Sequence, residues 1–274
     1  MCIAYGPNSA RGWPSRVTVV ALAIAAASLG GCVDVAGLSS GPSVETAQAP
    51  AAGSDQWRTY TDEWGKRYEQ NPGDRTASIN YARGLRALTR YSEAAAVMRT
   101  AAVESPQDFE VLGEYGKALA NSGELAQAKD VLTRAYPEDR PDWTIMSVQG
   151  AVEDELGDHD GARTFYADAL KIAPGEPFLL NNLGLSYALT KQLPQAEATL
   201  REASASPHAD VRVRNNLALV LSLEGKYAQA EDVSRQDMSD DAARANVKAI
   251  RQMIASRGVA SALRSSPQSA VSTE

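Results

Sequence analysis

Histidine, the residue most often used in metal sites and acid–base catalysis, occurs twice among the 274 residues of this sequence. His159 stands between Asp158 and Asp160, a combination that could bind a divalent metal ion. A metal site needs several side chains that converge on one point, whereas the side chains of three adjacent turn residues diverge. The second histidine, His208, is distant in the sequence. We therefore predict no metal site around His159.

Two further stretches match parts of catalytic motifs. GLSSG, residues 37–41, has the pattern of a nucleophilic serine, but that serine acts from a sharp turn between a strand and a helix, and this copy lies among small polar residues. Gly116 and Lys117 lack the earlier glycine and the following Ser or Thr of a phosphate-binding loop. The sequence therefore predicts a protein that is not an enzyme and takes no cofactor and no small-molecule substrate.

Cys32 has the surroundings of a cysteine that is modified with lipid. Basic residues precede a mostly apolar stretch, residues 17–29, which is too short to cross the roughly 30 Å hydrocarbon layer and is typical of a secretory signal. It leads into LGGC, residues 29–32, which resembles the lipobox of bacterial lipoproteins, whose cysteine thiol is acylated. The alternative is a short anchor with an incidental cysteine. We predict a lipoprotein signal peptide over residues 1–31 and a lipid on Cys32 that holds the chain on a membrane.

Composition divides the rest of the chain into three parts. Residues 32–54 are small and polar, with Pro and Gly, and they predict a flexible membrane tether. Residues 55–256 carry the bulky apolar residues that a folded domain requires, whereas residues 257–274 are weakly patterned and predict a disordered tail. The formal net charge of -7 argues against non-specific binding to nucleic acid, because phosphates attract basic surfaces.

Small residues recur every 34 positions through the middle of the chain. A period of 34 is that of the tetratricopeptide repeat, a pair of antiparallel helices that approach closely where side chains are small. The sequence therefore predicts an all-α, right-handed α-solenoid of about five repeats, at residues 75–108, 109–142, 143–176, 177–210 and 211–236. The alanines that carry the period are Ala94, Ala128, Ala162, Ala196 and Ala230, with a second series at Ala101, Ala135, Ala169 and Ala203.

A helix at each end is expected to cover the open ends of the solenoid. The segment before the first repeat has an aromatic stripe, which could instead mark a ligand site: Trp57, Tyr60, Trp64 and Tyr68. After the last repeat, a helix with three apolar residues would seal the other end: Val247, Ile250 and Ile254.

The first helix of each repeat lines the concave wall of such a solenoid, where extended or helical peptides bind. Arg83, Arg86 and Lys117 occupy wall positions in the early repeats. In the later repeats we predict a peptide-binding groove formed by Phe178, Asn181, Asn182, Leu185, Arg212, Asn215 and Asn216. Asn side chains pair with both donors and acceptors of a peptide backbone, and Arg holds an anion. The alternative is that asparagine is common there because it suits the start of the helix.

Three stretches carry a family resemblance, and the first two contain blocks that are more specific than the general repeat pattern. They are LNNLGLSYALTKQLPQAEATLREA at 180–203, RVRNNLALVLSLEGKYAQAE at 212–231 and ARANVKAIRQM at 243–253. Together with Cys32 they resemble the TadD lipoproteins of tight-adherence (Flp) pilus systems, over residues 55–256. The resemblance implies a non-enzymatic assembly factor in the periplasm that helps the outer-membrane secretin to form or localise.

Two functional hypotheses follow. The first is a lipid-anchored protein on the periplasmic face of the outer membrane, whose groove captures a segment of the secretin or another pilus-assembly subunit. Val33 after the cysteine, rather than Asp, favours the outer membrane under the sorting rule known for some bacteria. The second is an envelope scaffold lipoprotein for cell-wall hydrolase or polysaccharide export complexes.

Overall fold

The computed structural model describes residues 55–265, with side chains described as far as residue 256. The predicted signal peptide, Cys32, the tether and residues 266–274 lie outside the described residues. Within that range the chain is helical without strands, and none of these helices is long and apolar enough to cross a membrane. The helices are α1 (Asp55–Gln70), α2 (Arg75–Ala87), α3 (Tyr91–Glu104), α4 (Phe109–Ser122), α5 (Leu125–Leu132), α6 (Trp143–Leu156), α7 (His159–Ile172), α8 (Pro177–Leu189), α9 (Leu193–Ala205), α10 (Val211–Leu223), α11 (Tyr227–Ser234) and α12 (Asp240–Ser265).

Helices α2 to α11 form five hairpins, and each hairpin begins at the first residue of a predicted repeat. We call the first helix of each hairpin the A helix (α2, α4, α6, α8 and α10) and the second the B helix (α3, α5, α7, α9 and α11). Each helix packs against the next one along the chain, and the A helices of successive repeats also contact one another. This stacking confirms the predicted all-α repeat architecture.

An acidic residue caps the start of each A helix. These residues are 34 positions apart, and each carboxylate accepts a hydrogen bond from a backbone N–H in the first helical turn: Asp74, Asp108, Asp142, Glu176 and Asp210. Such a cap stabilises a helix by about 1 kcal/mol, because it satisfies a donor that has no partner within the helix. The caps therefore place the start of every A helix at the same point of the repeat.

The turn from the A helix to the B helix contains one residue with a positive φ in every repeat. Glycine holds this place three times, at Gly123, Gly157 and Gly225, with φ of 83°, 89° and 79°. Thr89 and Lys191 hold it in the other two repeats, with φ of 58° and 62°. The backbone follows the same path in all five turns, although a side chain at positive φ costs energy that glycine avoids.

Small residues lie where the two helices of a repeat touch. All nine alanines of the predicted series are buried. The A helices contribute Gly116, Gly150 and Gly184, and a Cβ atom added at these glycines would lie 2.4 Å from Leu132, 2.5 Å from Tyr166 and 2.7 Å from Leu200. The backbones therefore approach as closely as the absence of a side chain allows, which is the packing that the period predicts.

The end helices cover the solenoid as predicted. On α1, Trp57 and Tyr60 are buried, and the Tyr60 hydroxyl donates a hydrogen bond of 2.7 Å to Asn80 of the first repeat. On α12, Val247 is buried in the last core cluster. Helix α12 continues to Ser265, past the predicted boundary of the disordered tail at residue 256.

Candidate functional site

The predicted groove residues lie on two neighbouring A helices, α8 and α10. Phe178 and Leu185 lie on α8 and Asn215 on α10, and all three are half-buried. Arg212, near the start of α10, is exposed. Helices α8 and α10 contact each other directly. The structure therefore places the predicted residues on two adjacent A helices.

Three of the four predicted asparagines form a chain of hydrogen bonds between repeats. The Asn216 amide donates to the Asn181 carbonyl oxygen at 2.8 Å, and the Asn181 amide donates to Asn182 at 3.3 Å. The Asn182 amide in turn donates to the Ser147 hydroxyl at 3.3 Å, which joins α8 to α6. Part of the bonding capacity of these amides therefore holds neighbouring A helices together.

Asn215 differs from the other three asparagines. Within the described part of the chain its side chain has no hydrogen-bond partner, although it is half-buried. A half-buried amide carries two donors and one acceptor that a peptide backbone can satisfy. Asn215 is therefore the predicted asparagine whose side chain is most available to a bound chain.

The arginines at the start of α10 are already paired. Arg212 contacts Asp210, the capping residue of its own helix, at 2.7 Å. Arg214 forms two hydrogen bonds to Asp237, at 2.5 and 2.6 Å, and a third to the Ala209 carbonyl oxygen. Arg212 is therefore paired with the carboxylate that caps α10. Arg214 joins the start of α10 to the segment between α11 and α12.

Helices α8 and α10 each carry two leucines at equivalent positions of their repeats, and we call these four residues the leucine patch: Leu185, Leu189, Leu219 and Leu223. Leu185 and Leu219 are half-buried, whereas Leu189 and Leu223 keep 38% and 39% of their surface exposed. Each helix contributes two leucines four residues apart, which places them on one face, one turn apart. Leu189 and Leu223 were missed as wall residues by sequence reasoning, although their 34-residue spacing is a visible signal.

The early repeats present an ionic surface in place of leucines. Glu114 of α4 is buried and accepts hydrogen bonds from Arg83 at 3.2 Å, Arg86 at 2.9 Å and Lys117 at 3.1 Å. Burial alone would raise the pKa of Glu114, but the charges of Lys117, Arg83 and Arg86 together lower it well below the ordinary value of 4.5. The predicted cations of this half of the wall are therefore held by a carboxylate of the protein itself.

A second carboxylate, which is partly buried, lies in the middle of the wall. Asp154 of α6 accepts hydrogen bonds from the Ser186 hydroxyl at 2.8 Å and the Tyr166 hydroxyl at 3.2 Å, and it lies 2.8 Å from His159 Nδ1. Burial raises the pKa of Asp154, and these hydrogen bonds oppose the rise. His159 is thus part of a bonding network that links α6, α7 and α8.

The neighbours of His159 have separate structural roles. Asp158 caps α7 by accepting a hydrogen bond from the Gly161 N–H, and Asp160 pairs with Arg163. Their carboxylates therefore serve different partners and do not converge on the imidazole. Among the residues that the structure describes, no group of three or more His, Cys, Asp or Glu side chains could hold a metal ion.

Comparison with known proteins agrees with this architecture. Residues 85–144 and 211–236 match the tetratricopeptide repeat. No curated protein matches the sequence. Among solved structures, PilW, a widely conserved type IV pilus biogenesis factor, has a TM-score of 0.58 at 15% identity, over 67% of this chain and 88% of that one.

Two other solved structures show the same architecture in larger proteins. The human IFIT1 dimer has a TM-score of 0.57 at 16% identity, over 67% of this chain and 46% of that one. The Cut9–Hcn1 hetero-tetramer of the APC/C has a TM-score of 0.59 at 16% identity, over 76% of this chain and 40% of that one. This chain therefore spans less than half the length of either. At these identities the likeness concerns the fold alone, and the protein has the all-α fold of the tetratricopeptide-repeat type.

Proposed function

We propose that this protein is a lipid-anchored periplasmic factor that assists the assembly or localisation of a tight-adherence pilus secretion machine. Its groove holds a segment of the secretin or of another pilus-assembly subunit. The observation that carries the proposal is the wall formed by α8 and α10, where half-exposed leucines lie beside the unpaired amide of Asn215. Apolar side chains next to an unsatisfied amide suit a polypeptide ligand, which supplies both side chains and backbone groups.

The sequence resemblance to the TadD lipoproteins supports the choice of partner. PilW, which shares the fold, is itself a pilus biogenesis factor. Proteins of this fold are generally non-enzymatic scaffolds, and we infer that this chain also acts by binding. Its partner in this proposal is a protein rather than a nucleic acid or a small molecule.

We further propose that Cys32 carries the lipid and that Val33 directs the protein to the outer membrane, on its periplasmic face. Two or more acyl chains give stable attachment, since each buried CH₂ contributes about 0.8 kcal/mol. A tether over residues 32–54 would keep the solenoid near the membrane surface, where a secretin assembles.

The anchor is tested by a Cys32→Ala variant in the native host. The expected result is that the variant leaves the membrane fraction, and that pilus assembly fails although the protein is present at normal levels. Cys2→Ala is the matched control, because it removes the other cysteine of the chain, and it should leave fractionation and pilus assembly unchanged. If the Cys32→Ala protein still fractionates with membranes, the anchor assignment is wrong.

The alternative function, an envelope scaffold for cell-wall hydrolases or polysaccharide export, predicts a different set of partners. Affinity purification of the wild-type chain from pilus-forming cells should recover the secretin. Recovery of a hydrolase or an export protein in place of the secretin would favour the alternative.

A further inference from the structure

The leucine patch has the dimensions of the apolar face of one short helix. Leu185 and Leu189 are separated by four residues on α8, as are Leu219 and Leu223 on α10, which corresponds to a rise of about 6 Å along each helix. Packed helices lie about 8–10 Å apart. The four side chains therefore cover an area that two turns of an amphipathic helix would fill.

In α6, the A helix that precedes α8, an acidic residue takes the place of the second leucine. Glu155 holds the position in α6 that Leu189 holds in α8 and Leu223 in α10, since successive positions are 34 residues apart. Glu155 is exposed, and among the described residues its carboxylate has no cationic partner. Neighbouring protein atoms remove part of the water around this carboxylate, and this desolvation, followed by the charge of Asp154, raises the pKa of Glu155. An unpaired carboxylate therefore adjoins the apolar surface.

We propose that the leucine patch and Glu155 together bind an amphipathic helix of a partner protein, with apolar residues one turn apart and a Lys or Arg beside them. The apolar residues pack on the four leucines, and the cation pairs with Glu155. This inference rests on the proposed function, because it names the chemistry of the segment that the groove holds.

Two other occupants fit the charge less well. A second copy of this chain would bring the same patch and the same unpaired carboxylate, so that like charges would meet across a symmetric interface. A lipid bilayer would take the leucines but would leave the Glu155 carboxylate against hydrocarbon or anionic headgroups. A basic helix satisfies both the leucines and the carboxylate, and the formal charge of -7 on the whole chain favours a basic partner.

The proposal is tested with three labelled helical peptides that share one leucine pattern and differ in their flanking residues, which are Lys, Gln or Glu. Their binding to the full chain is measured by fluorescence anisotropy. We expect the Lys peptide to bind about threefold more tightly than the Gln peptide, and the Gln peptide more tightly than the Glu peptide. Glu155→Lys should reverse this order.

The double variant Leu189→Ser with Leu223→Ser should weaken binding of the Lys peptide at least about tenfold, because both partly exposed anchors are lost. Val103→Ser is the matched control, since Val103 is 77% exposed on α3, away from the patch. It should leave binding unchanged. Circular dichroism of each variant establishes that the helices are retained.

Four results would overturn the proposal. Equal binding of the three peptides would show that Glu155 does not pair with the flanking cation. Binding that the leucine variant does not change would show that the patch is not the site. Leucine-dependent binding of phosphatidylglycerol vesicles without peptide binding would assign the patch to lipid. A wild-type dimer that the leucine variant dissociates, seen by sedimentation, would assign it to a second copy. These assays contain no pilus component, so their failure is distinct from a failure of the Cys32→Ala test.

Discussion

At the scale of single residues, the environment of Glu114 explains how three cations are accommodated on one wall. The carboxylate and the Arg86 guanidinium are both buried, with 5% and 4% of their side chains exposed. Removing one member of a buried ion pair leaves the other charge uncompensated, which costs about 3–5 kcal/mol. Glu114 therefore helps to hold α2 and α4 together through its ion pairs with Arg83 and Arg86.

Glu114→Gln should lower the free energy of unfolding by about 3 kcal/mol near neutral pH, because Arg86 and Lys117 would remain buried without a counter-charge. Glu93→Gln, which removes an exposed carboxylate paired with Arg90, is the control and should cost less than about 1 kcal/mol. Urea denaturation followed by circular dichroism measures both. Equal costs for the two variants would contradict the account.

The pKa of Glu114 also gives a sign for the acid dependence of stability. Because folding lowers this pKa below 4.5, its contribution is fully present above that pH and is lost as the pH falls below it. Titration of stability from about pH 7 to about pH 3 should therefore show a shallower loss in Glu114→Gln than in the wild type. A steeper loss in the variant would reverse the assigned sign.

Lys191 occupies a backbone conformation that three of the other four repeats fill with glycine. A non-glycine residue at positive φ costs about 1 kcal/mol. Lys191→Gly should therefore raise the free energy of unfolding by about 0.5 kcal/mol, after the greater entropy of glycine in the unfolded chain is subtracted. Gly225→Ala, at the equivalent turn, is the opposite test and should lower the free energy of unfolding by about 1 kcal/mol, because alanine is strained at a positive φ. No atom lies within 4 Å of the added Cβ, so this cost comes from the backbone conformation and not from a clash.

The asparagines show how far residue roles can be predicted from sequence. Their spacing correctly indicated that they belong to the A helices. The bond from Asn216 to Asn181 joins residues 35 positions apart, as does the bond from Asn182 to Ser147. Which amide is used between repeats and which stays unpaired, as at Asn215, depends on the stacking of those repeats. Periodicity alone could not reveal it.

At the scale of helices, the close contact takes two forms in the first four repeats. Three A helices place glycine against a bulky partner, as Gly184 against Leu200. The first repeat instead has Ala82 at the equivalent place and Met98 in place of the leucine, and both are fully buried. Methionine is unbranched and can move aside for the extra methyl group. The two positions therefore compensate for each other in volume.

Gly184→Ala should lower the free energy of unfolding by about 1 kcal/mol, because overpacking against Leu200 exceeds the gain in helix propensity. Adding Leu200→Met, which recreates the pair of the first repeat, should recover part of that loss. The double-mutant cycle, with Leu200→Met alone as its fourth corner, measures the coupling by urea denaturation. Additive effects without coupling would show that the two side chains do not compete for space.

The helix boundaries were largely predictable because they follow local signals. The 34-residue period placed the start of all five A helices, and glycine marked three of the five turns between helices. The remaining turns, at Thr89 and Lys191, lack a glycine and adopt the same conformation because the packing of both flanking helices requires it.

At the scale of the whole molecule, the wall of A helices changes in character along the solenoid. The early repeats present Arg83, Arg86 and Lys117 around Glu114, and the later repeats present the leucine patch. The first surface is largely satisfied by its own ion pairs, whereas the second leaves apolar area and the Asn215 amide without cover. We therefore propose that the partner binds in the C-terminal half of the wall.

The most direct test of this account is a site-specific photo-crosslink in cells that assemble the pilus. A benzophenone amino acid replaces either Leu185 on the groove wall or Val103 on the exposed face of α3. The account predicts that the secretin, or another subunit of the pilus machine, is joined to the chain from position 185 and not from position 103. A pilus subunit joined from position 103, with none joined from position 185, would contradict it.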